Sequence, residues 1–298
     1  MTEVVYGFGA HSGIDDTAEL VRLAGQADRD GLDVLSVSDH PYLGGRLDAY
    51  AAIGFVLGIT QRLTGFVNVT NLPLRPAPML ARTVTSLSVL SGGRVLLGLG
   101  AGGRWDRISA MGVPPLSPAA AVDAFEEAIL LVKALSGGGP PITHEGRHYR
   151  VDAIEPAPVD ALPVWTGSNG PKSLAVTGRV ADGWIPGHAA DWRSERYRQS
   201  RPIVDAAALA AGRDPRDVRT VYNVPGRITE RPLPATRDRD DRWIGGSADQ
   251  WIEELTGAVL TYGASGFILF APDGGAPDGL SLGRWANEIV PAVREAST

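Results

Sequence analysis

Cysteine is absent from the 298 residues of this chain. Without thiols the protein has no disulfide bond, no zinc–thiolate or iron–sulfur site and no cysteine nucleophile. These classes of structure and chemistry are therefore excluded, and any catalytic or binding site must be built from other side chains and from the backbone.

An excess of positive charge is also missing. Lys and Arg number 28 against 34 Asp and Glu, which gives a formal net charge of −6, and the two signs are interleaved along the chain. A nucleic-acid-binding surface requires a stripe of unpaired basic residues, so we expect no nucleic-acid partner. Hydrophobic residues make up 44% and charged residues 21%, which is typical of a globular protein with a proper core.

The sequence lacks an apolar run long enough to span a membrane. Its longest apolar stretch, residues 51–59, is about half of what a membrane-spanning helix requires. The first six residues have neither a cationic start nor the apolar core of a signal peptide. We therefore expect a cytoplasmic protein without a membrane partner, of a size that suits an enzyme acting on a small-molecule substrate.

Short apolar runs with β propensity alternate along the chain with longer segments of helical periodicity. Near-continuous apolar runs are typical of parallel strands that are buried on both faces. Eight such units predict an α/β protein in which residues 1–298 form a single (β/α)8 TIM barrel, and a doubly wound open sheet is the alternative. The predicted strands are residues 4–8, 34–37, 63–69, 95–99, 164–166, 183–185, 218–224 and 266–270.

Two segments interrupt this alternation. Residues 144–149 predict a small hairpin before the fifth strand. Residues 225–246, rich in proline and in charges of both signs, predict a loop that either covers the barrel mouth as a lid or is a solvated linker. Arg227 and Arg231 in this loop are candidate anion contacts, although charged loop residues are usually solvated.

The glycines between residues 98 and 103 match the G-x-G-x-x-G pattern of dinucleotide-binding folds. That motif needs a helix that begins within it, so that the pyrophosphate lies on the helix N-terminus. Here the next helix is predicted only after Ser117, where Pro118 occupies the first helical position. We therefore interpret these glycines as backbone that a flat or bulky ligand can approach closely.

An acid and a base, Asp39 and His40, follow the second predicted strand directly. Ligands of parallel α/β folds bind at the carboxyl ends of the strands, so this pair is well placed for chemistry. The alternative is that Asp39 caps the next helix and His40 is a polar loop residue.

Six segments together resemble the luciferase-like monooxygenase superfamily, whose members are (β/α)8 barrels of the bacterial-luciferase type. The resemblance covers nearly the whole chain in the right order, and the run LSVLSGGRVLLGLGAG at residues 87–102 is its most specific part. The chain is most similar to the branch that depends on coenzyme F420, because that branch carries an Asp-His pair after strand two and no large insertion. The six segments are residues 38–40, 69–71, 75–81, 87–102, 166–171 and 181–184.

The resemblance implies that coenzyme F420, or alternatively FMN, binds in the barrel mouth. Asp39 and His40 would face the ring of this cofactor, and a bulge at residues 67–70, which contains Val67, Asn68 and Thr70, would support its back face. The family often has a non-prolyl cis peptide at this bulge, which the resemblance implies near Val67-Asn68.

Two glycine-rich segments complete the implied cofactor site. The first segment, residues 100–102, lacks the large side chains that would keep the backbone away from the cofactor. The second segment, residues 167–170, precedes a helix whose N–H groups and dipole suit a phosphate. An ordinary Asn/Gly turn that caps the helix is the alternative for the second segment. The implied contacts are Gly100, Ala101 and Gly102 along the polyol chain, and Gly167, Ser168, Asn169, Gly170 and Lys172 around the phosphate.

The function that the resemblance implies is hydride transfer between coenzyme F420 and a small organic substrate. His40 would act as acid or base on the substrate, and Asp39 would either orient His40 or accept a hydrogen bond from the ring. An FMN-dependent monooxygenase that uses reduced flavin and oxygen is one alternative, and a flavin-binding relative without turnover is another. A sugar-phosphate dehydrogenase is not expected, because Gly103 and Arg104 follow the glycine run where those members carry a catalytic Glu.

Further expectations concern assembly and the rim of the site. Members of the superfamily commonly dimerise beside strands two and three, which implies a homodimer through residues 51–59. His11 and His188 follow predicted strands and are either second histidines of the mouth or solvated loop residues. Trp105 and Trp184 either wall the substrate pocket or belong to the core.

Overall fold

The computed structural model describes residues 4–10, 12–187 and 191–297. Its strands are β1 Val5–Ala10, β2 Val34–Val37, β3 Thr64–Val67, β4 Thr70–Asn71, β5 Leu97–Gly100, β6 Ile142–Glu145, β7 Arg150–Ile154, β8 Val164–Thr166, β9 Gly183–Trp184, β10 Arg219–Pro225, β11 Arg227–Thr229, β12 Gly245–Ser247 and β13 Gly266–Phe270. Its α-helices are α1 Thr17–Arg29, α2 Ala49–Ile59, α3 Ala77–Ser91, α4 Trp105–Ala110, α5 Pro118–Ala134, α6 Pro171–Val180, α7 Glu195–Ala210, α8 Ala248–Tyr262, α9 Gly279–Arg284 and α10 Val290–Ala296.

Nine of these strands form a parallel sheet that closes into a barrel. Their order is β3-β2-β1-β13-β10-β9-β8-β5-β4, and neighbouring strands pair in parallel. The two end strands, β3 and β4, are parts of one segment that is interrupted at residues 68 and 69. Gly65 also pairs with Val95, just before β5, so the sheet has no open edge here. The predicted TIM barrel is confirmed, and the open doubly wound sheet is excluded.

Helix boundaries follow from local chemistry that the sequence displays. Ser117 caps α5, because its hydroxyl accepts a 3.2 Å hydrogen bond from the N–H of Ala120. Gly92 ends α3 in the left-handed conformation with φ of 69°. These helices bury their apolar faces against the barrel, so that the carboxyl ends of the strands remain open as a mouth.

One local expectation needs correction. A helix of six residues, α4, begins at Trp105, directly after the glycine run, whereas the sequence predicted no helix before Ser117. The non-prolyl cis peptide lies at Asn68-Val69, within the predicted bulge and next to the expected position near Val67-Asn68. The hairpin expected before the fifth barrel strand is present as the antiparallel pair of β6 and β7.

Residues 225–246 form an ordered segment against the barrel. Its ends pair as β11 and β12, and Arg237 in its middle is buried, with 9% of its side chain exposed. Arg237 donates to Asp191 and Glu254, and its guanidinium carbon lies 5.9 Å from the centre of the Trp192 ring. These contacts favour a structured cover over a solvated linker. No helix among the described residues is long and apolar enough to cross a membrane.

Candidate active site

A cavity of about 440 Å³ opens at the carboxyl ends of β2, β4, β5 and β8. Four segments that are far apart in sequence meet in its wall: the loop after β2, the interrupted third barrel strand, the glycine run and the turn before α6. Ten of the thirteen predicted site residues line it, and they are Asp39, His40, Thr70, Gly100, Ala101, Gly102, Gly167, Ser168, Asn169 and Gly170.

Asp39 borders the cavity and is almost fully buried, with 3% of its surface exposed. Its carboxylate accepts two hydrogen bonds from Arg75, of 2.8 Å and 2.7 Å, and one of 2.9 Å from the N–H of Asn71. The structure therefore assigns this carboxylate to Arg75, and not to His40 as the resemblance implied. A buried carboxylate needs such partners, because burial of an unpaired charge is costly.

Arg75 connects this carboxylate to α2. Its Nη2 also donates to Asp48 at 2.6 Å, and Asp48 caps α2 by accepting from the N–H groups of Tyr50 and Ala51. The guanidinium carbon lies 4.8 Å from the centre of the Tyr50 ring, whose hydroxyl is 2.6 Å from Oγ1 of Thr70. The loop after β2, the start of α2 and the wall at Thr70 are therefore held together.

His40 lies at the exposed rim of the cavity. Its Nδ1 is 2.8 Å from the hydroxyl of Tyr42, and this contact orients the ring. Partial burial lowers the pKa of His40 below 6.5; the Asp39 carboxylate opposes this shift, while the positive charges of Arg46 and Arg104 add to it. The imidazole is therefore neutral at neutral pH and is suited to exchange a proton with a substrate.

The floor of the cavity is formed by Val69 and by glycine backbone. A Cβ on Gly100 or Gly167 would stand 2.8 Å or 2.9 Å from a methyl group of Val69. Gly102 has φ of 91°, and a Cβ there would lie 2.7 Å from Pro73. Since a larger residue would clash at all three positions, the glycines allow the backbone of the floor to pack closely around Val69 and Pro73.

The turn before α6 forms one end of the cavity and is suited to bind an anion. Helix α6 begins at Pro171, and the N–H groups of its first turn, including that of Ser173, have no acceptor within the helix. The positive end of the helix dipole lies at the same place. Ser168, Gly170 and Ser173 all border the cavity here. A phosphate is the natural ligand of such an end.

Two side chains from later elements hold this turn. Trp184 is buried and donates from Nε1 to the backbone oxygen of Ser168 at 2.9 Å. Arg196 on α7 donates to Oδ1 of Asn169 at 2.6 Å, and it places a positive charge beside the turn. Trp184 thus belongs to the core but positions the site, whereas Trp105 lines the cavity directly.

Three predicted site residues lie outside the cavity wall. Val67 is 1% exposed and packs in the core, because β3 continues up to it. Asn68 lines a neighbouring cavity of about 200 Å³ that also borders His40. The side chain of Lys172 is exposed on α6 and does not line the cavity, whereas the positive charge of Arg196 lies beside Asn169.

His11 and His188 lie outside the described residues. Their predicted place at the mouth stays a prediction.

Sequence reasoning missed several residues of the site: Tyr42, Asn71, Arg75 and Arg196. Val69 belongs to the bulge that the resemblance implied at residues 67–70. Arg75 lies in one of the six segments of the resemblance, but nothing in the sequence linked it to Asp39, which lies 36 residues earlier. Asn71 borders the cavity, and its buried Oδ1 has no partner among the described residues. A buried acceptor without a partner is a signal for a ligand that only coordinates reveal.

Comparison with known proteins agrees with this architecture. The family model described as luciferase-like monooxygenase matches residues 4–266. A solved structure of riboflavin lyase with modified FMN and its substrate riboflavin superposes with a TM-score of 0.81 at 14% identity, covering 98% of this chain and 92% of that one. At this identity the likeness concerns the fold alone.

The sequence relatives are similar to this chain over only part of their own length. The phthiodiolone/phenolphthiodiolone dimycocerosates ketoreductase of Mycobacterium tuberculosis (strain ATCC 25618 / H37Rv) is 31% identical over 210 residues, which are 67% of this chain and 51% of that protein. The chain therefore spans about half the length of this relative. An F420-dependent glucose-6-phosphate dehydrogenase of Microbacterium testaceum (strain StLB037) is 29% identical over 228 residues, 74% of this chain and 67% of that protein. The family match over residues 4–266 shows that the chain belongs to the luciferase-like monooxygenase family.

Proposed function

We propose that this protein is an F420-dependent oxidoreductase that transfers a hydride between coenzyme F420 and a small organic substrate. The observation that carries the proposal is the cavity of about 440 Å³ in which His40, the glycine floor and the anion-binding turn meet. The F420-dependent relative from Microbacterium testaceum supports the choice of cofactor.

The residues of the cavity fit a tricyclic cofactor with a phosphate. The glycine floor around Val69 accommodates the ring system, and the turn at Ser168 with Arg196 suits the phosphate. The unpaired Oδ1 of Asn71 offers an acceptor to a polar edge of the ring. A bound deazaflavin supplies a carbon that accepts or donates a hydride, and the protein supplies binding, orientation and a proton.

His40 would hold the proton that accompanies this hydride. When Nδ1 donates to the hydroxyl of Tyr42, Nε2 is left to accept a proton from a substrate hydroxyl. In the other tautomer Tyr42 donates to Nδ1, and Nε2 carries a proton for a substrate carbonyl. The hydrogen bond between His40 and Tyr42 is therefore compatible with both oxidation and reduction of the substrate. The Arg75–Asp39 ion pair does not exchange a proton in this proposal; it holds the cavity wall in position.

Two tests examine this proposal. Titration of the apo-protein with F420 and with FMN, followed by fluorescence, should give the tighter affinity for F420. Replacement His40→Asn should lower kcat by roughly 10²–10⁴-fold, because general acid–base catalysis typically contributes this much, while F420 affinity stays unchanged. His144→Asn is the matched control, since His144 lies in the β6–β7 hairpin outside the cavity wall, where its Nε2 is 3.0 Å from Oε1 of Glu127. An unchanged kcat for His40→Asn would remove His40 from the mechanism.

The alternative is an FMN-dependent monooxygenase that uses reduced flavin and oxygen. Preferential FMN binding, with rapid oxygen consumption by the reduced holoprotein, would establish this alternative. Tight FMN binding without turnover of any substrate would indicate a non-catalytic flavin-binding relative.

We further propose that the protein is a homodimer that joins through α2 and α3. Helix α2 leaves Phe55 58% exposed and Ile59 44% exposed, and α3 leaves Leu90 84% exposed. The two helices pack side by side, with Gly54 against Leu87. Large apolar side chains on neighbouring helices are typical of an interface between protein chains.

A further inference from the structure

A second cavity, of about 380 Å³, lies beneath residues 225–246 at the carboxyl ends of β10 and β13. The cavity of the candidate active site, which we call the cofactor cavity, lies at the carboxyl ends of β2, β4, β5 and β8. The second cavity therefore occupies the other side of the barrel mouth. Its apolar wall contains Val224, Leu233, Trp243, Ile244 and Pro272.

Two positively charged residues border this cavity. Arg227 and Arg242 both line it, and neither side chain forms an ion pair within the part of the chain that the structure describes. The two carboxylates of the wall are already occupied by their own chain: Asp191 accepts from Arg237 at 2.8 Å, and Asp238 accepts from the N–H groups of Asp240 and Arg242.

The wall therefore presents two arginines that are in no ion pair among the described residues, beside two carboxylates that already accept hydrogen bonds. The indole Nε1 of Trp243 is a further donor of this wall, since it is buried and has no acceptor among the described residues. A ligand rich in acceptors, that is an anion, complements such a wall.

The second cavity leads towards His40. Asn223 lines it and is 6% exposed, and its Oδ1 accepts a 2.8 Å hydrogen bond from Asn68. Asn68 in turn lines the small cavity that borders His40. A molecule held by Arg227 and Arg242 would therefore extend over the Asn68–Asn223 pair to the reacting groups.

We propose that the second cavity is the substrate subsite and that it binds an organic anion, a carboxylate or phosphate attached to an apolar body. The anionic group lies between Arg227 and Arg242, and the oxidised or reduced carbon lies towards His40. The assignment as a substrate subsite rests on the proposed function, whereas anion binding at this place does not.

Binding of a fluorescent anion to the apo-protein tests this inference. Anilinonaphthalene sulfonate should bind the wild type more tightly than phenylnaphthylamine, which has the same rings without the sulfonate. The Arg227→Gln/Arg242→Gln variant should bind the sulfonate about tenfold more weakly, since two partly exposed charge-assisted contacts are lost. Arg231→Gln is the matched control, because Arg231 lies on the same segment outside the cavity wall.

Competition then identifies the anion. Octanoate or octyl phosphate should displace the probe and octanol should not, and the better competitor distinguishes a carboxylate from a phosphate substrate. Equal displacement by octanol, or equal weakening in Arg231→Gln, would overturn the inference. So would complete displacement of the probe by F420, because the probe would then lie in the cofactor cavity.

The F420 titration separates this inference from the proposed function. If F420 does not bind the wild type, the proposed function is wrong even when the binding experiments with the fluorescent anion give the expected results. If F420 binds but those experiments do not give the expected results, only the assignment of the substrate subsite is wrong.

Discussion

At the scale of single residues, His40 and Asp39 are neighbours in sequence with separate tasks. His40 lies at the rim of the cavity with Tyr42 on its Nδ1, and Asp39 is buried against Arg75. Adjacent residues at the end of a strand point in different directions, which explains the separation. The sequence indicated that both residues belong to the site, but not their partners: Tyr42 lies two residues beyond His40, whereas Arg75 lies 36 residues beyond Asp39.

The pKa of His40 provides one prediction. It lies below 6.5, so the neutral form required of a base persists below that pH, and the acidic limb of the kcat/KM profile should lie below pH 6.5. Arg104→Gln should move this limb to higher pH, because removal of a nearby positive charge raises the pKa of His40. The NMR shifts of the His40 imidazole against pH measure the same change without turnover. Arg107→Gln is the control, and identical titration curves for both variants would contradict the assignment.

The Asp39–Arg75 pair provides a prediction on stability. Asp39→Asn should lower the free energy of unfolding by about 2–3 kcal/mol, because it leaves a partly buried guanidinium with one carboxylate fewer. The side chains of Asp39 and Arg75 are 1% and 18% exposed, and Asp48 remains as a partner, which limits the loss. Urea denaturation measures the change. Asp106→Asn removes only the exposed pairs with Arg104 and Arg107, so its effect on the free energy of unfolding should be much smaller; a similar loss in both variants would refute the argument.

At the scale of elements, helix starts and strand ends create the site. Pro171 places the start of α6 at the anion-binding turn, and α6 packs closely on α7, where a Cβ on Gly178 would lie 2.2 Å from the backbone oxygen of Val204. This close approach brings Arg196 of α7 to Asn169. The proline and glycines of the turn were visible in the sequence, whereas the helix that completes the turn was not.

The segment 225–246 depends on Arg237 as its anchor. Arg237→Gln should lower the free energy of unfolding by about 3 kcal/mol, because Asp191 and Glu254 would be left without their shared cation. Release of the segment should also speed trypsin cleavage after Arg239, which limited proteolysis measures. Arg216→Gln, at a side chain that is 90% exposed, is the control. Unchanged cleavage in Arg237→Gln would mean that other contacts hold the segment.

At the scale of the whole molecule, ring closure of the sheet joins residues that are distant in sequence. Asn68 and Asn223 are 155 positions apart and form a 2.8 Å hydrogen bond in the mouth. The eight alternating units predicted the ring, and the resemblance predicted the cofactor cavity. The second cavity was not predicted, because its wall combines β10, β11, the segment between β11 and β12, and the separate residues Asp191 and Pro272.

The proposed homodimer gives the prediction at this scale. Leu90→Asp should convert the dimer into a monomer, because a charge would replace an apolar side chain at the centre of the exposed α2–α3 surface. Light scattering coupled to size-exclusion chromatography measures the mass. Leu260→Asp is the control, since Leu260 is 62% exposed on α8. A monomeric wild type, or a dimer that survives Leu90→Asp, would reject this surface.

The sequence by itself determined the alternation of strands and helices, because apolar periodicity and capping residues act over a few neighbouring positions. It also indicated the two glycine-rich turns and the Asp39-His40 pair. Only the tertiary structure decided that Arg75 holds Asp39, that Tyr42 orients His40 and that Arg227 and Arg242 share a cavity. Ion pairs and cavities form between segments distant in sequence, and their geometry is fixed only when the barrel closes.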